Sequence, residues 1–283
     1  MNLRRLTART AVAGIATTLA AGALVAGGAG TASAATVTNT YNCTVAALGA
    51  SFDTVLTATG GAPAEAPAGW TVPAGTLKLQ ATAVVSDPAI QQALKDFAVS
   101  NARSDDFALE LGKGDAPIPL SGAVTSDGTT TTWSATGANK KFVTPAAGKV
   151  NALLPAEFTF TAETASLGDV PIPCELKAGQ SAQSLGEVAL AKQKTKTKAK
   201  STSVKAGKVA KLTVKVKGNA GPATSGKVVV KEGKKVLGKA KVKNGKAKVK
   251  LGKLGKGKHK VTVSFAGGGS FKSSKDKAVV KVK

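Results

Sequence analysis

Lys239-Ala240-Lys241-Val242-Lys243-Asn244-Gly245-Lys246-Ala247-Lys248-Val249-Lys250 decides how the last third of the chain is read. Lysine and small apolar residues alternate with period two on both sides of Asn-Gly, the pair that type I′ turns prefer because both positions take positive φ. The reading is a hairpin folded at Asn244-Gly245, its register obtained by counting outward. Val242 then meets Ala247 and Ala240 meets Val249 on the inner face. Lys243 meets Lys246, Lys241 meets Lys248 and Lys239 meets Lys250 on the outer face. Like charges directly opposite are unfavourable; at about 5 Å in a water-like dielectric each pair costs under ~1 kcal/mol, and salt reduces it. Folding gains nothing from such a face, so Lys239, Lys241, Lys243, Lys246, Lys248 and Lys250 are the candidate polyanion-binding residues.

Outward from the hairpin the pattern continues. Ala210, Leu212, Val214 and Val216 face one side and Lys211, Thr213, Lys215 and Lys217 the other. Ser203-Val204-Lys205-Ala206-Gly207 precedes a strand, and Ser225-Gly226-Lys227-Val228 opens another. Leu254-Gly255-Lys256-Gly257-Lys258-His259-Lys260-Val261 and a corner from Phe265-Ala266-Gly267 to Ser273-Ser274 follow. In this order of elements, residues 192 to 283 resemble the bacterial immunoglobulin-like repeats of surface and secreted proteins. At the corner the family often carries an acid and two tyrosines, where this chain has Gly268, Phe265 and Phe271. The resemblance implies a seven-stranded sandwich used as a spacer or adhesive module.

Two other features of this region have plainer readings. His259 shares parity with Val261, Val263 and Phe265 and reads as a partly buried core residue. Gly221-Pro222-Ala223-Thr224-Ser225-Gly226-Lys227-Val228 imitates a phosphate-binding loop, but Val228 stands where the Mg²⁺-binding hydroxyl belongs, and Val228-Val229-Val230 continues as strand where a helix must begin.

Charge divides the chain. Residues 35 to 187 hold 8 basic and 14 acidic side chains (−6), and residues 188 to 283 hold 29 lysines against Glu232 and Asp276 (+27); with +3 from the first 34 residues this gives the total of +24. A shift of that size is a domain boundary. Arginine is absent from the basic segment, and lysine, a hydrated point charge without bidentate geometry, suits diffuse attraction to a polyanion better than base-specific reading.

The acidic domain, residues 35 to 187, also alternates. Tyr41, Cys43 and Val45 face one way, as do Leu77, Leu79, Ala81, Ala83 and Val85, and Phe158, Phe160 and Ala162. Asp127-Gly128 reads as a two-residue hairpin turn that pairs Val124 with Thr131 and sets Trp133 over Gly122. Asp87 as N-cap, Pro88 at the first helical position and Ile90, Leu94 and Phe97 on one face predict a helix. Segments 61–75 and 145–156, rich in Pro, Ala and Gly, read as loops. Asp105, Asp106 and Glu110 lack the fixed oxygen spacing and turn glycine of a calcium loop and read as a solvated face. Tyr41-Asn42-Cys43 and Pro173-Cys174 resemble secreted two-cysteine β-domains of unknown function from actinobacteria.

Residues 1–34 carry Arg4, Arg5 and Arg9, an apolar stretch and Ala32-Ser33-Ala34, the order of a secretory signal peptide cleaved after Ala34. In an exported chain the even count of two cysteines predicts a Cys43–Cys174 disulfide. No later apolar run reaches spanning length, so no transmembrane anchor is expected.

The expected fold is all-β: a front β-sandwich with one short helix, then a seven-stranded immunoglobulin-like sandwich. The expected function is a secreted, non-catalytic envelope or matrix protein with no cofactor, metal or catalytic set, secreted or held peripherally on the cell envelope. Its basic domain binds an anionic polymer: teichoic acid, acidic glycan or DNA. The alternatives are a nucleic-acid-binding protein with a disordered lysine-rich tail and an enzyme whose site in the front domain carries no motif.

Overall fold

Eight strands of the front domain carry an apolar residue at nearly every second position, and one face of each turns inward as they pair in a ring. They are β1 (Ala35–Val45), β2 (Ala50–Gly60), β3 (Lys78–Val85), β4 (Asn101–Ser104), β5 (Leu120–Ser126), β6 (Thr131–Ala138), β7 (Glu157–Thr164) and β8 (Gly168–Leu176). In the computed structural model, which describes residues 34–283, they follow the order β1-β8-β7-β4-β5-β6-β3-β2, and β2 pairs back on β1 to close a barrel. The expected signal peptide lies outside the described residues, apart from Ala34. Tyr41, Cys43, Leu56, Leu79, Trp133 and Phe158 point into the barrel and are buried. Its outer face is polar, with Thr36–Thr59, Thr38–Thr57 and Thr44–Ser51 hydroxyl pairs across β1 and β2. That is the reverse of a membrane barrel, whose outside is apolar.

The all-β class with one helix holds, and one front layer closes on itself, with a two-stranded piece of Thr71–Val72 and Phe142–Val143 beside it. The second layer is a five-stranded sheet in the order Glu65–Pro67, Ser184–Ala191, Gly148–Leu153, Ala108–Leu111 and Asp115–Pro117. It corrects the loop reading of 61–75 and 145–156, since backbone pairing gives these Pro/Ala-rich pieces strand character without alternation. It also carries the front domain across the 187/188 charge boundary, because Ser184–Ala191 is one continuous strand.

Helix α1 (Pro88–Asp96) forms as read: Asp87 Oδ1 accepts from the N–H groups of Ala89 at 2.9 Å and Ile90 at 3.1 Å. The Asp127-Gly128 turn is corrected. Asp127 Oδ1 accepts from the backbone of both Thr129 and Thr130, each at 2.8 Å, which draws these residues into a four-residue loop. The register slips by two, so Trp133 faces Val124 and Gly122 faces Ala135. A slip of two keeps every side chain on its expected face; the Trp133 indole donates to Ala102 O at 2.9 Å. Cys43 and Cys174 are bonded as expected, joining β1 and β8 where they lie directly opposite.

The basic domain is a sandwich of β9 (Thr195–Ala199), β10 (Thr202–Val204), β11 (Val209–Gly218), β12 (Lys227–Glu232), β13 (Lys235–Lys241), β14 (Lys246–Lys253), β15 (Gly257–Phe265) and β16 (Ser274–Val282). One sheet pairs β9-β11-β14, with the two-residue piece Gly221–Pro222 also pairing with the end of β11, and the other pairs β10-β16-β15-β12-β13. With β9 and β10 taken as one strand that changes sheets at Lys200-Ser201, and the two-residue Gly221–Pro222 piece set aside, these are the seven expected strands. Leu212, Val214, Val228, Val230, Val249, Val263 and Val280 are fully buried between the layers. Each such burial contributes about 1.5–3 kcal/mol, which outweighs the repulsion of the lysine pair outside it. This packed core also corrects the disordered-tail alternative.

The Asn244-Gly245 turn exists, with both residues at positive φ and reciprocal backbone bonds between Lys243 and Lys246. The hairpin it was expected to nucleate does not. β13 pairs with β12 and β14 with β11, so the strands part into different sheets after the single Lys243–Lys246 bridge. The turn is used up in anchoring: Val216 N donates to Gly245 O and Gly245 N to Ala223 O, both at 2.8 Å, which commits β14 to β11.

Candidate functional site

Separation of β13 from β14 divides the six candidate lysines. Lys239 and Lys241 stand opposite Val229 and Lys227 in the larger sheet. Lys246, Lys248 and Lys250 stand opposite Lys215, Thr213 and Lys211 in the smaller one, with Lys243 at the crossing. The face expected from the hairpin therefore does not exist as a unit.

A denser one takes its place. On the outer side of β9-β11-β14, Lys198, Lys215 and Lys246 form one row across all three strands. Lys196 pairs with Lys217, and Lys211 with Lys250. With Lys248 these are Lys196, Lys198, Lys211, Lys215, Lys217, Lys246, Lys248 and Lys250, all exposed. The same side chains alternate with the buried Thr197, Leu212, Val214, Val216, Ala247 and Val249, so the core that holds the sheet also fixes the direction of every lysine. Lys196, Lys198, Lys211, Lys215 and Lys217 were outside the sequence-derived set. Their alternation was visible, but nothing local says that β14 pairs with β11.

No acid neutralises this face. Glu232 Oε1 lies 2.9 Å from His259 Nδ1, and Asp276 Oδ2 accepts from Ala199 N at 2.7 Å. Among the described residues no lysine of the basic domain forms an ion pair. At physiological ionic strength the screening length is about 8 Å, longer than the roughly 5 Å between cross-strand partners. The lysines therefore present one combined positive field.

His259 is partly buried as expected, its ring spanning two acceptors: Glu232 at Nδ1 and Gly255 O at 2.8 Å from Nε2. Only the protonated ring donates to both, so the Gly255 carbonyl and the Glu232 carboxylate raise its pKa above 6.5. Sequence reading missed Glu232, which reaches His259 only through packing of β12 on β15.

In the front domain the acidic trio is dispersed into structural roles. Asp105 joins Glu163 and Asp169 around the Arg103 guanidinium, Asp106 accepts from Thr159 N at 3.0 Å, and Glu110 accepts from Ala156 N at 3.1 Å. Among the described residues no helix is long and apolar enough to cross a membrane.

Residues 197–283 match the family model of the bacterial Ig-like domain (group 3). The sandwich architecture recurs in many cell-surface domains, and the module is compatible with an extracellular or surface protein. No curated protein matches the chain. Among solved structures, a protein of Corynebacterium diphtheriae described as membrane anchored is similar at 17% identity and a TM-score of 0.39 over 88% of this chain. This chain spans 59% of the length of that one. Fibronectin(III)-like modules of Clostridium thermocellum CbhA are similar at 16% identity and a TM-score of 0.27, covering 80% of this chain and 94% of theirs. A chimeric titin Z1Z2 tandem is similar at 12% identity and the same TM-score, covering 77% and 94%.

Proposed function

We propose that the chain is an exported, non-catalytic envelope or matrix protein whose Ig-like domain holds an anionic polymer against the β9-β11-β14 face. The observation that carries the reading is the lysine array on that face: its charges lie side by side on a rigid sheet with no acid among them. Export rests on the basic, apolar and small-residue order of residues 1–34 and on the Cys43–Cys174 bond, a linkage that persists in oxidising compartments. Wall teichoic acid, acidic glycan and extracellular DNA share the repeated anionic charge the face needs.

Counterion release makes such binding fall linearly in log affinity against log salt, with a slope of about −0.9 per phosphate neutralised on duplex DNA. The full chain, titrated with DNA and with teichoic acid over a salt series, should give a steep slope for both. Changing Lys196, Lys198, Lys215, Lys217, Lys246 and Lys248 to Gln should flatten it by several units while the Ig-like domain stays folded. An unchanged slope would leave these lysines as a solubilising, edge-protecting surface only.

A further inference from the structure

The front barrel contains a cavity of about 400 Å³ beneath α1, at the end where the 46–49, 127–130 and 165–167 loops emerge. Eight strands is the size at which a barrel interior is either just filled by side chains or holds one small ligand. Here alanine at 83, 102 and 162 leaves the space open between Phe52, Trp133 and Phe160. Among the described residues no charged side chain lines it. The volume lies in the range of about 300–1,000 Å³ that holds small ligands.

The cavity has three polar residues, all threonine. Thr54 Oγ1 donates to Val84 O at 3.0 Å, and Thr164 Oγ1 donates to Gly168 O while accepting from Leu167 N. Thr131 Oγ1 is different. Among the described residues it is the one buried side-chain N or O atom without a hydrogen-bond partner, in a residue 4% exposed. Such a group destabilises the fold unless something meets it. It also lines an adjoining cleft of about 90 Å³ that reaches the surface at Lys95, among the described residues the one basic side chain on either space. Lys95 forms no ion pair among the described residues. The rim carries Leu48 at 46% and Leu167 at 55% exposure, an apolar edge over which a hydrocarbon chain can slide.

We propose that this cavity binds a long-chain carboxylic acid, its hydrocarbon chain among the alanines and aromatic rings and its carboxylate at the cleft. There the carboxylate accepts from Thr131 Oγ1 and pairs with Lys95. The site lies in the front domain and is independent of the lysine face.

The test uses the delipidated full chain in high salt, which suppresses non-specific attraction to the basic domain. Titration with cis-parinaric acid, a fluorescent long-chain acid, should saturate at one equivalent and quench Trp133 in the cavity wall. Its methyl ester should bind more weakly. Lys95→Gln should weaken the acid by about fivefold and leave the ester unchanged. Thr131→Val should weaken both ligands and raise the Tm of the ligand-free protein. Ala162→Phe, which fills the cavity, should abolish binding; Ala83→Leu, a smaller filler, gives the same readout if the phenylalanine variant does not fold. Absence of saturable binding, or binding undiminished in a folded filled variant, overturns the site. Acid binding indifferent to Lys95→Gln overturns the head-group placement.

Discussion

A single proton on His259 ties two strands together. Protonated, the ring donates to Glu232 on β12 and to Gly255 O beside β15; neutral, it can satisfy only one of them. Its folded pKa is raised above 6.5, so its stabilising contribution is complete below pH 6.5 and is lost as pH rises through the folded value. Chemical denaturation of the full chain between pH 5.5 and pH 8.5 should show the Ig-like domain losing stability toward the alkaline end. In Glu232→Gln that decline should shrink; an unchanged decline would place its origin elsewhere. Gly245 is a second point of control, at φ +71° with a notional Cβ 2.8 Å from Pro222 Cβ and 3.0 Å from Val216 O. Gly245→Ala combines a left-handed backbone with that crowding and should cost at least about 1–2 kcal/mol, read as a fall in the denaturation midpoint of the Ig-like domain.

At the scale of the element, alternation names the inner and outer residues of a strand but not its neighbour. β11 and β14 were each legible as lysine-outward strands; their pairing depends on where the Asn244-Gly245 turn docks. Because the turn bonds to Val216 and Ala223, Lys246 comes to rest beside Lys215, and Lys250 beside Lys211. These like-charge pairs predict a measurable effect on stability. Lys211→Gln with Lys215→Gln should raise the denaturation midpoint of the Ig-like domain in low salt, by under ~1 kcal/mol per pair removed, and the gain should vanish in high salt. A loss of stability in low salt would mean that the lysine stems contribute more by covering apolar surface than their charges cost.

Across the whole molecule the two domains are joined at Gln193, which is 2% exposed. Its Nε2 donates to Ala68 O at 2.8 Å in the front domain, and its Oε1 accepts from Ala220 N at 3.1 Å in the Ig-like domain. Its backbone donates to Ser270 O and accepts from Lys272 N. The disulfide acts within the front domain, closing a separation of 131 residues between the first and last barrel strands. The chain-entropy account assigns such a link up to about 5 kcal/mol. Both tryptophans, Trp70 and Trp133, lie in the front domain, so their fluorescence follows that domain alone. Cys43→Ala with Cys174→Ala should lower the fluorescence-detected transition strongly, while a second transition by circular dichroism, from the Ig-like domain, stays in place. A common shift of both would show that the Gln193 junction couples the domains into one unfolding unit.

The sequence by itself determined what rests on neighbours in the chain: strand faces through period-two alternation, α1 through Asp87 and Pro88, and the left-handed Asn244-Gly245 turn. The Ig-like order of elements and the cysteine pairing were legible for the same reason, being carried by residue types at fixed places. Tertiary structure decided everything that depends on which strands become neighbours. Closure of the barrel, the two-residue slip at Asp127, the transfer of the lysine face from a hairpin to the β9-β11-β14 face, and Glu232 beside His259 are all of this kind. So is the cavity, because alanines at 83, 102 and 162 lie on separate strands and leave room only when those strands form walls of one enclosure. Backbone hydrogen bonds are alike at every strand edge, so pairing is chosen by the burial of whole faces, a property of the assembled core rather than of any local stretch.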